Sequence, residues 1–507
     1  MSNIKTIQEL LENGNDDSIA ISAPNRTALT FSGLRDHVAN TVDTLNAFGI
    51  GRNDPVAIVL PNGPELASAF ISIAAGATTA PLNPVYQEKE FEFYLTDLNA
   101  RLLIVKEDSE SPARKVAEKL GIAVVELQTN EGDPAGVFQL KGKPLPNAKP
   151  QCGFARENDN ALVLHTSGTT ARPKIVPLSQ LNICTSAENI VNNLALVPED
   201  RCLNIMPLFH IHGLIAAVLS SLRAGASVFC TPGFNALKFF AWLKESNPTW
   251  YTGVPTMHQA ILSRASRNSD IIKNSRLRFL RSSSASLPPQ VMMAMEETFN
   301  SPVIESYGMT EAAHQMASNP LPPKERKPGS VGIAAGPEIS IMDENGKLLT
   351  SGTIGEVVIR GQNVTLGYLN NPAANATGFT NGWFRTGDQG IIDTEGYLRL
   401  TGRLKEIINR GGEKISPREV DEILLDHPAV LQAVTFAMPH EKLGEEVAVA
   451  LVLREGETTT EKEIREFAGQ RLADFKVPRK VIFLDEIPKG PTGKLQRIGL
   501  AEKLGIT

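Results

Sequence analysis

Short apolar runs alternate with stretches of helical period over the first four hundred residues. Val56–Leu60 is a run suited to a buried strand, and Pro64 then opens a helical stretch to about Ala75. Thr78–Pro81 follows as another extended piece. The rhythm recurs downstream: Gly213–Arg223 reads as helix and Ala226–Cys230 as strand, while Phe279–Ser282 and Val303–Tyr307 are extended runs flanking the helical Pro289–Thr298. Alternation of this kind predicts an α/β fold with mostly parallel strands buried on both faces. From about Gly329 the grammar changes. The turns Glu344-Asn-Gly346, Thr380-Asn-Gly382 and Thr394-Glu-Gly396 separate short β-like runs, which predicts a β-rich subdomain over about 329–402. Residues 129–160, rich in Gly, Pro, Lys and Asn, read as a long surface connection.

A boundary is expected at 402/403, giving an N-terminal domain over 1–402 and a small α+β domain over 403–507. In the latter, Ser416-Pro-Arg-Glu419 has the form of a capping box opening a helix toward Asp426. Strands near Val430–Met438 and Val447–Arg454 and a helix around Glu461–Leu472 follow.

Composition narrows the function classes. The chain has 507 residues, 42% hydrophobic and 21% charged, with a formal charge of −6 and no long block of one sign. No polyanion-binding patch is visible, so nucleic acid is not an expected partner. No apolar run approaches the ~20 residues needed to span a bilayer. The polar, amphipathic opening MSNIKTIQELLENGNDD lacks the form of a signal peptide, and the C-terminal sequence is not an SKL-type address, so a cytoplasmic location is expected. Cys152, Cys184, Cys202 and Cys230 are scattered, with neither disulfide nor zinc spacing.

Four segments carry candidate chemistry. In Leu162–Lys174 a strand runs into a loop with Thr166, Ser167, Gly168, Thr169, Thr170 and Lys174. Glycine lets backbone N–H groups approach an anion, hydroxyls donate further bonds, and lysine adds charge, so the loop suits phosphates. It is not a Walker A loop, because Pro173 stands where the second glycine belongs and Ile175 replaces the Ser/Thr magnesium ligand. In Glu305-Ser-Tyr-Gly-Met-Thr-Glu311 a flat ring beside a glycine suits adenine, and a carboxylate suits Mg²⁺. Asp388, followed by Arg403 and Lys405, could take ribose hydroxyls. Finally, Pro488-Lys-Gly-Pro-Thr-Gly-Lys494 is an irregular loop ending in a lysine.

In this order along the whole chain, the motifs resemble the adenylate-forming superfamily of acyl-CoA synthetases, luciferases and carrier-protein-loading adenylation domains. Ala171 and Ile175 stand where that superfamily commonly has glycine. The resemblance implies ATP, Mg²⁺ and coenzyme A as co-substrates, an acyl-adenylate intermediate, and a small C-terminal domain that rotates about Lys405 between half-reactions. It assigns catalysis to Lys494, Glu311 and His210, with Glu311 on the metal. The nucleotide falls to Thr166–Thr170, Lys174, Ala285, Glu305, Ser306, Tyr307, Gly308, Thr310, Asp388, Arg403 and Lys494. Gly411 and Gly412 are expected to line a passage for the pantetheine arm.

The acid pocket of relatives maps here to Pro207–Gly213, Arg281–Ser286 and Glu311–His314. A fatty-acid or cinnamate ligase would need apolar lining. This chain offers His212, Arg281, Ser283, Ser284 and His314, which suits a small, doubly anionic acid. The segments PLFHIHGL, RSSSASL and MTEAAHQMASNPLPP resemble the oxalate–CoA ligases of this superfamily. Malonate or a hydroxycinnamate remains an alternative acid, and a non-catalytic nucleotide-binding regulator an alternative class. Free CoA is expected as acceptor, not a carrier protein, and the oligomeric state is left open.

Overall fold

The computed structural model describes residues 4–146, 148–166, 173–488 and 497–506. The chain divides into two compact units. Met1–Thr166, Lys174–Ile339 and Ile359–Gly382 belong to the first. Ser340–Val358 and Trp383–Thr507 belong to the second.

The first unit holds two sheets. A seven-stranded sheet has the order Gln139–Lys141, Ala123–Gln128, Leu102–Lys106, Pro55–Val59, Thr78–Pro81, Asn160–Thr166, Lys174–Ser179. Its five inner strands are parallel, and its two edge strands pair antiparallel. A nine-stranded sheet runs Ile333–Ala334, His314–Ser318, Val303–Met309, Phe279–Ser282, Trp250–Gly253, Arg201–Asn204, Ser227–Cys230, Ile19–Ser22, Leu29–Thr30; it is parallel from Val303–Met309 to Ile19–Ser22, and the strands beyond those two pair antiparallel. The expected α/β alternation is therefore present. Strand Gln139–Lys141 falls inside the stretch read as a plain connection; it is a three-residue edge strand, too short to carry a period-2 signal.

Helix Pro64–Ala74 is largely apolar and touches strands of both sheets, so ten of its eleven residues are buried. The segment read as a helix over Gly213–Arg223 begins instead as a π-helix, His212–Leu219, and continues as an α-helix, Ser220–Arg223. All eight residues of the wide turn are buried, and it packs on strands Arg201–Asn204, Trp250–Gly253 and His314–Ser318. A π-turn keeps the composition of an α-helix but rotates its first side chains off the α-helical phase, and such turns concentrate at functional sites.

The second unit is richer in β-structure. Trp383–Ile392 pairs antiparallel with Leu398–Arg403, and Gly355–Arg360 belongs to the same sheet. A second sheet carries Glu413–Ile415, Ile408–Arg410, Gly444–Leu453 and Val430–His440, with Lys480–Phe483 added parallel to Gly444–Leu453. Val420, Leu424, Val449, Leu451 and Ile464 join strands and helices in one core. Ser416 does cap helix Pro417–Leu425 by accepting from Glu419 N. The return half of the box is absent: the Glu419 carboxylate is held by Lys476 Nζ at 2.6 and 2.8 Å, an ion pair that outcompetes a backbone donor. Among the described residues no helix is long and apolar enough to cross a membrane.

Candidate functional site

Parallel neighbours bring their carboxyl ends to one edge of a sheet, where ligands of open α/β sheets bind. Strands Arg201–Asn204, Trp250–Gly253, Phe279–Ser282 and Val303–Met309 are such neighbours, with Thr252 in register with Arg281 and Arg281 with Ile304. The segments after them carry His210 and His212, Ser283 and Ser284, and Thr310 and Glu311. His212 and His314, more than 100 positions apart in sequence, thereby meet.

Arg281 is the centre of this meeting. It is 0% exposed. Its Nη1 lies 3.3 Å from His212 Nε2 and 3.4 Å from Thr252 Oγ1, and its Nη2 donates to Gln315 Oε1 at 3.1 Å. Its Nε has no partner among the described residues, and none of their carboxylates pairs with it. Burial pushes the guanidinium down to about 9, so the group is still charged at neutral pH. A buried cation without a carboxylate is costly, and an arriving anion relieves that cost.

His212, at the head of the π-turn, orders the cluster further. Its Nε2 lies 2.6 Å from Thr252 Oγ1, its Nδ1 lies 3.0 Å from Ser284 Oγ, and its ring meets the His314 ring edge-on at 5.0 Å. The backbone here is unusual. Ser284 (φ 70°), Ala313 (φ 47°) and His314 (φ 96°) are non-glycine residues in left-handed conformations. Each costs about 1–3 kcal/mol, and such residues cluster where function over-determines the chain path. Gly308 allows the last of them: a Cβ there would stand 1.7 Å from the His314 carbonyl oxygen.

The structure thus gathers His212, Arg281, Ser284 and His314, all named from sequence for the acid. Ser283 points elsewhere, its hydroxyl donating to Ser306 O at 3.0 Å. His210 is half-buried with its ring 4.6 Å from that of Phe209, and its carbonyl accepts from Leu214 N. Among the nucleotide candidates, Glu305 is fully buried and its Oε1 accepts from Leu287 N at 3.0 Å, bracing the loop that carries Ser284 and exposed Ala285. Ser306 donates to Ser282 O at 3.4 Å, and Tyr307 is 8% exposed at the strand end. Thr310 and Glu311 form a short 3₁₀ turn.

Glu311 is 5% exposed and its Oε1 accepts the Tyr368 hydroxyl at 2.9 Å. Lys174 heads strand Lys174–Ser179 opposite Thr166, with its Nζ 4.4 Å above the Tyr368 ring centroid. No group of three or more His, Cys, Asp or Glu among the described residues could hold a metal by itself. A Mg²⁺ that arrives on nucleotide phosphates needs only one or two carboxylates, and Glu311 offers the hard oxygen donors it takes. Ser167, Gly168, Thr169, Thr170 and Lys494 lie outside the described residues.

In the second unit, Asp388 faces Arg403 across the antiparallel pair, with Arg403 Nε 3.0 Å from Asp388 Oδ1. Lys405 is exposed just beyond. Gly411 (φ 58°) and Gly412 (φ 99°) form the two-residue tip of the hairpin between Ile408–Arg410 and Glu413–Ile415. Positive φ at both positions is what a type I′ turn demands.

Sequence reasoning missed Thr252, Gln315 and Tyr368. The only local trace of Tyr368 is its position after a glycine at the close of an apolar run; Gln315 lay within the segment MTEAAHQMASNPLPP without being singled out, and Thr252 carried no signal.

Residues 10–369 match the family model of AMP-binding enzymes, and residues 419–494 match that of the AMP-binding enzyme C-terminal domain. The chain is 46% identical to an oxalate–CoA ligase of Arabidopsis thaliana over 97% of each chain. It is 43% identical to an oxalate–CoA ligase of Saccharomyces cerevisiae over 96% of this chain and 94% of that one. Among solved structures, ATP-bound MatB from Rhodopseudomonas palustris superposes with a TM-score of 0.88 at 28% identity, covering 98% of both chains.

Proposed function

The chain belongs to the AMP-binding enzyme family, and from that membership we propose that it is an AMP-forming acid–CoA ligase whose acid is oxalate. Oxalate, ATP and CoA become oxalyl-CoA, AMP and diphosphate. A carboxylate cannot acylate a thiol at neutral pH, because oxide is a poor leaving group. One carboxylate oxygen of the acid therefore attacks the α-phosphorus of ATP and diphosphate leaves. The CoA sulfur then attacks the activated carbonyl, and AMP leaves with the bridging oxygen.

The protein's contribution is positioning and charge stabilisation. Lys174 and the Thr166–Thr170 loop hold the β- and γ-phosphates, Tyr307 and Gly308 bound the adenine, and Asp388 with Arg403 takes the ribose. Glu311 holds Mg²⁺, which when bound neutralises charge on the phosphates. Lys494 serves the α-phosphate during adenylation. Gly411 and Gly412, at an exposed hairpin tip, suit passage of the pantetheine arm.

One observation carries the choice of acid: Arg281 is a fully buried cation with no carboxylate partner among the described residues. The second carboxylate of oxalate supplies that partner, with His212, Ser284 and His314 around it. The test is thioester formation from ATP and CoA with a panel of oxalate, malonate, succinate, acetate, octanoate and coumarate. Oxalate is expected to give the highest kcat/KM. Preference for octanoate or coumarate would overturn the assignment.

A further inference from the structure

Residues 363–369 form a strap that the nucleotide motifs do not include. Asn363 Nδ2 donates to the carbonyls of Ala312 and Gln315, both at 2.8 Å. Thr365 N donates to Glu311 O at 2.7 Å, and Thr365 Oγ1 donates to Pro177 O at 2.8 Å. Leu369 N donates to Ile175 O at 3.0 Å. One short stretch is therefore bonded on one side to the turn holding Glu311 and His314, and on the other to the strand that begins at Lys174.

The Tyr368 side chain touches both Glu311 and Lys174, the two described side chains assigned to the metal and the phosphates. Its hydroxyl donates to Glu311 Oε1 at 2.9 Å, and its ring lies under Lys174 Nζ at 4.4 Å. Its own backbone is held from both sides by Asn375, whose Oδ1 accepts from Tyr368 N at 2.8 Å and whose Nδ2 donates to Tyr368 O at 2.9 Å. A carboxylate with one oxygen pinned has its plane fixed, and a lysine over a ring has its cation held near one height.

We infer that Tyr368 is a positioning residue for the metal–triphosphate grip, fixing the Glu311 carboxylate by its hydroxyl and the Lys174 cation by its ring. The inference rests on the assignment of Glu311 to Mg²⁺ and Lys174 to phosphate. It concerns adenylation alone, because the thioester step carries no triphosphate.

The test compares Tyr368→Phe, Tyr368→Leu and Glu311→Gln in the full-length protein. The readouts are Mn²⁺ binding with α,β-methylene-ATP, followed by electron paramagnetic resonance, and the two half-reactions measured separately. Losing an outer partner of a metal ligand weakens metal affinity about 10–100-fold. Tyr368→Phe is expected to weaken Mn²⁺ binding in that range and to slow adenylation alike. It should convert pre-made acyl-adenylate to thioester at the unaltered rate. Tyr368→Leu should additionally weaken binding of the metal-free nucleotide analogue, since Lys174 loses its ring.

If Glu311→Gln weakens Mn²⁺ binding and Tyr368→Phe does not, the role given to Tyr368 is wrong while Glu311 stands. If Glu311→Gln binds Mn²⁺ normally, the metal assignment falls and the inference with it. Equal loss of both half-reactions in Tyr368→Phe would mean a purely structural tyrosine and would also overturn it.

Discussion

Replacing Arg281 by methionine separates stability from function in a way that few substitutions do. The guanidinium is fully buried, donates to Gln315 and reaches no carboxylate among the described residues. Exchanging buried ionic groups for apolar ones of similar volume is commonly neutral or stabilising by about 1–4 kcal/mol. Against this, Gln315 loses a donor, which costs about 1–3 kcal/mol when the amide is buried. The two nearly offset, so Arg281→Met should melt within a few degrees of the parent. Catalysis should not be spared. A carboxylate about 4 Å from a guanidinium, at an effective dielectric near 20, gains about 4 kcal/mol. Losing it corresponds to roughly a thousand-fold fall in kcat/KM for oxalate. The KM for ATP should hold, and acetate, which has no second carboxylate, should be used no worse than by the parent. The assay is diphosphate release with each acid, alongside a thermal melt. Oxalate turnover within ten-fold of the parent, or equal losses with oxalate and acetate, would refute the argument. Arg281→Lys keeps the charge and should lose much less than methionine, yet fall short of the parent because a shorter point charge cannot reproduce the planar fork.

Two further outcomes follow from other parts of the chain. Lys494→Ala should abolish adenylate formation while pre-made oxalyl-adenylate is still converted to the thioester; equal loss of both steps would remove Lys494 from its role. Asp421 is 6% exposed, accepts from Thr435 N and pairs with Arg497, yet burial dominates and pushes it up to about 6. A folded-state value above the unfolded one means stability that is full below about pH 4 and lost as pH rises through about 6. Asp421→Asn should therefore flatten the urea-midpoint profile across that window by roughly 3 kcal/mol or less. Profiles that stay parallel would show that Asp421 ionises as freely in the fold as out of it.

The α/β core was legible because buried parallel strands are short continuous apolar runs, and Thr78–Pro81 and Phe279–Ser282 have the ends the pattern predicted. What escaped was decided by tertiary competition. The π-turn at His212 has ordinary helix composition. The reciprocal cap at Glu419 was lost to Lys476, a residue 57 positions away. For the site, residue types near Arg281 signalled an anion, but their convergence depends on register across four strands, which no local window contains. Ser283 and Ser284 look alike in sequence, yet adjacent residues diverge, one bonded to a backbone carbonyl and the other to His212. Tyr368 had no periodic or motif signal, and its importance emerges only from two contacts made at long range.

The left-handed backbone at Ser284, Ala313 and His314 bears on how this enzyme could be retargeted. Side-chain substitutions alter the lining of a pocket but leave its walls where the main chain puts them. Here two wall segments owe their course to conformations that most residues resist, with Gly308 making room for one of them. Accommodating a longer acid therefore calls for exchanging 282–287 and 308–315 as whole segments, together with the strap that braces the second. Single replacements within the frame should yield weaker oxalate enzymes far more often than enzymes for a new acid.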